Sequence, residues 1–227
     1  MGCWALKFDW AAIGSMFQGV SAIVVAIAAV VGLNAWRKQL QASKHQALAE
    51  DALSLVYRLR DAIDHMRQPW AFVGEMNKVE RLEGESEASF EGRKHYGVVE
   101  VRYRLHADTA TQLEAIRYRV SAVLGDEAAS GVEDVLAVLR RVRNEASNAV
   151  RNKQLVVLAA SRLTGARSDQ SAKDYDIAHT RLAESESWIC AVEGDGDPAA
   201  AALKSAVRRA EFALRDFAMM KPQRSHS

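Results

Sequence analysis

Hydrophobic and polar positions follow two different rhythms along this chain. Residues 10–36, bounded by Trp10 and Trp36, include no charged side chain, and between positions 22 and 31 apolar residues cover every face. As a helix, 27 such residues rise about 40 Å, enough to cross a hydrocarbon core of about 30 Å with some tilt. The two tryptophans then fall where indole rings prefer to lie, at the water interfaces. From Arg37 onward the rhythm changes: apolar residues recur at threes and fours between charged ones, the pattern of helices that bury one face.

That second rhythm predicts a series of helices. The first continues out of the uncharged stretch over 37–66, with Leu48, Ala52, Leu55, Val56, Leu59 and Ile63 on one side, and Pro69 ends it. Residues 70–96 hold three glycines, with Gly97 just beyond, and six glutamates with little periodicity, and read as a long acidic loop. A helix over 98–124 stops at Gly125, a residue suited to a positive-φ cap. One over 130–160 buries Val132, Val135, Leu136, Leu139, Val142 and Ala146. A polar break over 164–171 precedes a helix over 172–192 bearing Tyr175, Leu182 and Trp188. Asp197 as N-cap and Pro198 as first helical residue open a last helix to about residue 219.

The expectation is an all-α protein with an N-terminal interfacial segment at 1–9, a transmembrane helix at 10–36 and a helical bundle at 37–227. Only three prolines and an abundance of alanine, leucine, arginine and glutamate agree with it. Arg37, Lys38 and Lys44 follow the span closely while Lys7 alone precedes it, so the bundle is expected on the cytoplasmic side of a bacterial inner membrane. Cys3 and Cys190 then lie on opposite sides of the membrane and do not pair. The apolar run is too long, and its N-terminal flank too weakly basic, for a cleaved signal peptide.

Charge changes the picture by its distribution, since the net formal charge is only +1. Arg140, Arg141, Arg143, Arg151 and Lys153 crowd one segment that has the single acid Glu145 among them. Guanidinium forks suit phosphate, so this helix is a candidate site for a nucleotide or oligonucleotide; the alternative is a solvated face salt-bridged to the acidic 75–91 loop. Lys204, Arg208, Arg209 and Arg215, mixed with Glu211 and Asp216, read as an ordinary surface. Within the uncharged stretch Gly14, Gln18, Ser21, Val25, Ala28 and Gly32 recur at fours and threes. They make a small and polar face of the kind that joins helices in a bilayer or lines a water-filled pore. One helix per chain conducts nothing alone, so a pore implies a homo-oligomer of about four or more chains.

The segments Lys44-His45-Gln46-Ala47-Leu48-Ala49-Glu50, Tyr57, Arg60-Asp61-Ala62-Ile63 and Arg67-Gln68-Pro69, with Arg117-Tyr118-Arg119-Val120 before Gly125, resemble a family of bacterial proteins with one N-terminal span and a helical cytoplasmic domain. The architecture also looks like the ion-channel effectors of antiphage systems, the Hailong type among them. That resemblance implies a partner nucleotidyltransferase whose nucleotide product gates a pore. A non-conducting anchored scaffold that recruits a cytoplasmic partner is the competing expectation.

Arg60 and His65 match the loose Arg-x4-His spacing of HEPN ribonucleases and give a third, less favoured one. No metal-ligand set, phosphate loop or nucleophile-base arrangement is legible. The expectation is therefore a non-enzyme without a cofactor, with membrane lipid and its own copies as partners.

Overall fold

The computed structural model describes residues 10–165, 169–192 and 196–219, with side chains from Val25 on apart from residues 26, 88 and 163–165. It is all-α. Six helices follow in order among these residues: α1 (Trp10–Met66), α2 (Val73–Met76), α3 (Glu87–Leu124), α4 (Asp126–Gly165), α5 (Asp169–Ile189) and α6 (Pro198–Ala218).

α1 is unbroken over 57 residues, and among its described side chains burial is confined to the last third. Burial begins at Leu48 and continues through Ala49, Ala52, Val56, Leu59, Ile63 and Met66, the face predicted for the first soluble helix. From Val25 to Ala47 the side chains are exposed or half-exposed, Trp36 and Leu40 among them. Among the described residues no helix is long and apolar enough to cross a membrane. The side chains of residues 10–24, and with them Gly14, Gln18 and Ser21, lie outside the described residues, as does the segment 1–9. Of the predicted polar face, Val25 and Ala28 are exposed and Gly32 has open space around it.

Four helices form the bundle on the end of α1. α3 returns antiparallel to it, as Arg58 donating to Thr109 and the meeting of His65 with His106 show. α4 rises again beside α3, with Arg117 on Glu133 at one end and the Gln154 amide donating to the Ser89 hydroxyl at the other. α6 runs back along α1, from Asp197 at the level of Arg67 to Glu211 at the level of Tyr57. α3 and α4 are longer than the buried part of α1, so their far halves extend past its end. There α5 covers α4 in place of α6. The distal α5 therefore hands over to the proximal α6 at the level where α1 stops.

The apolar face predicted for α4 is buried at every one of its six positions. Gly131 fits the crossing with α6: a Cβ there would meet the Ala210 Cα at 2.8 Å, so a larger residue would push the helices apart. Gly125, at φ 100°, makes the turn between α3 and α4, where an L side chain is strained. The last helix begins as expected, the Asp197 carboxylate accepting from the Ala200 N–H at 2.9 Å with Pro198 next.

The acidic loop is a correction. It ends at Ser86, whose hydroxyl caps α3 by accepting from the Ser89 N–H, so residues 87–96 are helical. The glycines that suggested a loop, Gly92 and Gly97, sit inside α3 where it is approached closely by Lys153 and Val79. The predicted helix over 130–160 likewise extends at both ends.

Candidate functional site

Two arginines occupy the core where α1 ends, each nearly inaccessible: Arg67 is 1% and Arg102 2% exposed. A buried guanidinium demands carboxylates and carbonyls around it. Arg67 donates from Nη2 to both Asp197 oxygens at 2.6 and 2.8 Å and, more weakly, to the Cys190 carbonyl, and from Nε to the Trp188 carbonyl at 2.8 Å. Asp197 also accepts from the N–H groups of Val192 and Ala200. Burial raises its carboxyl pKa, but the Arg67 bonds with those two N–H groups outweigh it and hold the group below the usual aspartate value. This knot ties the end of α1 to the α5–α6 junction.

Arg102, on α3, forks onto Glu75 at 2.9 and 2.8 Å and donates to the carbonyls of Gln68 at 2.8 Å and Trp70 at 2.6 Å. It thereby satisfies backbone acceptors that the chain leaves open as it exits α1. The Arg102 bonds hold the Glu75 carboxyl down at about 2. In the segment between α1 and α3, Trp70, Phe72, Val73 and Leu82 stand exposed.

Next to the clamp, His65 Nδ1 and His106 Nε2 lie 3.0 Å apart, one ring donating to the other. Burial, and then the neighbouring His65, lower the His106 pKa below 6.5. Between that lowered value and 6.5 the unfolded chain holds more protons than the folded one, so stability is full above 6.5 and falls as the pH drops through the window. A urea midpoint measured between about pH 7.5 and 5.5 should therefore decline, and His106→Gln should flatten the decline. An unchanged slope in that variant would mean that His106 is not its source.

The arginines predicted on α4 each have a neighbour of their own. Arg140 is held by Glu133 on its own helix. Arg143 turns to α3, 3.2 Å from Glu100 and stacked 3.7 Å over the Tyr103 ring. Arg141 lies 3.7 Å over the Trp188 ring on α5. Arg151 donates to Asn148, and the Lys153 stem runs beside Gly92. The carboxylates that meet them stand on α3 and α4, not on the 75–91 loop, whose Glu75 and Glu85 serve Arg102 and Arg93. Arg60 and His65 diverge as well: Arg60 binds Asp61 and lines a groove against α6, while His65 faces α3. Within one chain the two do not converge on a common phosphodiester.

The less favoured basic group, on α6, has the more open geometry. Lys204 and Arg208 are exposed and line two adjoining grooves, of about 620 Å³ against α4 and about 320 Å³ against α1. Neither has a carboxylate partner among the described residues. No group of three or more His, Cys, Asp or Glu is placed to hold a metal among those residues either. Comparison with protein-family models, with curated proteins and with solved structures finds no match to this chain. The functional reading therefore rests on the residues themselves.

Proposed function

We propose that this chain is a membrane-anchored homo-oligomer whose N-terminal helices line a gated conducting path, acting as the membrane effector of an antiphage pair. Residues 10–36 cross the bacterial inner membrane, and 37–227 form the cytoplasmic gate. The observation that carries the reading is the continuity of α1: a single 57-residue helix leads from the uncharged stretch into the core of the bundle. Its described side chains from Val25 to Ala47 are exposed or half-exposed. A bundle fixed to the last third of such a helix works as a lever, because a rigid rotation at the buried end tilts or turns the far end. A small nucleotide-class signal that binds one arrangement of the bundle better than another supplies the differential affinity that any gate requires.

The test is ion flux from liposomes carrying the full chain, combined with its detergent-corrected mass. Flux from a closed oligomer of about four or more copies, altered in Gln18→Leu with the soluble helices still folded, is the expected result. A monomer or dimer without flux would overturn it.

A second reading, an anchored scaffold, is favoured by the exposed Trp70, Phe72 and Val73, apolar residues close in sequence on the segment that leaves α1, which suit a protein partner. It differs in outcome: any single span of similar length then replaces 10–36 without loss of function.

A further inference from the structure

Lys204, Arg208 and Arg215 recur on α6 at spacings of four and seven, one stripe on the outward face. Lys204 and Arg208 form the ridge between the two grooves. On one side, toward α1, stands Arg60 with Asp64; on the other, toward α4, stand Phe212, Arg209, Asp134 and Glu127. Two of the four carboxylates that line the grooves are engaged, and Arg60 shares its charge with Asp61 at the exposed surface. Asp134 binds Arg209 at 3.0 Å, and Glu211 accepts from the Tyr57 hydroxyl at 2.9 Å. Asp64 stands exposed in the α1 groove, four residues from Arg60. Phe212 leaves 77% of its surface in water beside these cations.

We propose that this ridge binds a diffusible small molecule carrying two or more phosphoryl groups and a flat ring. Its phosphates lie between Lys204, Arg208 and Arg60 and its ring lies on Phe212. Unpaired ammonium and guanidinium groups four residues apart on a helix are a natural seat for adjacent phosphoryl oxygens, and an exposed aromatic face accepts a planar group by stacking. The groove volumes fall in the range of small-molecule sites.

A lipid headgroup carries the same phosphate chemistry, but the ridge meets α1 at Arg60 and Asp64. That is more than twenty residues, or roughly 30 Å or more along the helix, beyond Arg37, out of reach of a headgroup layer. A ligand held there touches α1 and α6 together. The inference stands whether or not the spans conduct; where they do, it locates the signal on this seam and not on the α4 arginines.

The experiment is calorimetric titration of the full-length protein in detergent with pyrophosphate and with ATP. Both are expected to bind saturably. The double reversal K204E/R208E should weaken both by more than about tenfold. Phe212→Ala should weaken ATP alone by about fivefold or more. R140E/R141E/R143E should leave both unchanged. Lys204, Arg208 and Phe212 are exposed, so unaltered melting curves will certify those variants; for the α4 triple variant, whose Arg143 is half-buried against Glu100 and Tyr103, a retained helical circular-dichroism signal certifies the fold. Absence of saturable binding would overturn the proposal, as would loss of binding in the α4 triple variant but not in the α6 double variant. Binding confined to vesicles that contain a phosphoinositide would overturn it too, assigning the ridge to lipid.

Discussion

Replacing Asp197 by alanine is expected to destabilise the bundle by about 3–5 kcal/mol, the range for removing one partner of a buried ion pair, with about 1 kcal/mol more for the lost helix cap. The size follows from what stays behind. The Arg67 guanidinium is 2% exposed and retains only the Trp188 and Cys190 carbonyls, so its charge is left in the core without a counter-ion. The Val192 and Ala200 N–H groups lose their acceptor in the same step. Asp197→Asn keeps an oxygen for the cap and loses only the charge, so it should fall between wild type and alanine.

The pairing itself is isolated by R67M/D197S. This variant removes both charges, keeps a capping hydroxyl and should recover most of the loss, as buried ion pairs replaced by apolar groups commonly do. Chemical denaturation of wild type, R67M, D197S and the double variant gives the coupling energy. A double variant no more stable than Asp197→Ala would show that the knot does not act as a pair.

How far this architecture was legible in the sequence can be judged residue by residue. The buried face of α4 and the start of α6 were both legible because they depend on local rules, helical periodicity in one case and capping in the other. The start of α3 was missed because glycine and glutamate read as loop, whereas the Ser86 cap and the packing of Val79 on Gly97 hold that turn in the helix. The two buried arginines were missed for the opposite reason. Charged residues on a helix are taken as solvent-facing, yet Arg102 continues the series Val99, Arg102, Thr109, Leu113, Ile116 and Val120, all buried. An arginine inside an apolar seam is a signal that its partners must come from elsewhere in the chain. Those partners, Glu75 and the carbonyls of residues 68 and 70, are distant enough that only the fold brings them in. The neighbours of the α4 arginines were not legible, because most come from other elements: Arg143 meets Glu100 and Tyr103, and Arg141 lies over Trp188, whereas Arg140 meets Glu133 on its own helix.

Arg102 carries the second large effect. Arg102→Met should cost about 3 kcal/mol, the lower end of the range for a broken buried pair, because Glu75 keeps 18% of its side chain in water and can be solvated when abandoned. The damage should be local first. Without the guanidinium the carbonyls of Gln68 and Trp70 lose their donor, so amide exchange over residues 66–76 should accelerate while that of α4 and α6 changes little.

Acid provides an independent check of the same contact. The Glu75 carboxyl falls from 4.5 to about 2 through the Arg102 bonds, so its contribution is complete above 4.5 and disappears as the pH drops toward 2. In Arg102→Met that part of the acid sensitivity should vanish, because the carboxyl returns toward its ordinary value in the folded state. Equal acid sensitivity in the two proteins would separate Glu75 from Arg102. The loop that carries the exposed Trp70 and Phe72 would then be held to the end of α1 by its backbone contacts alone.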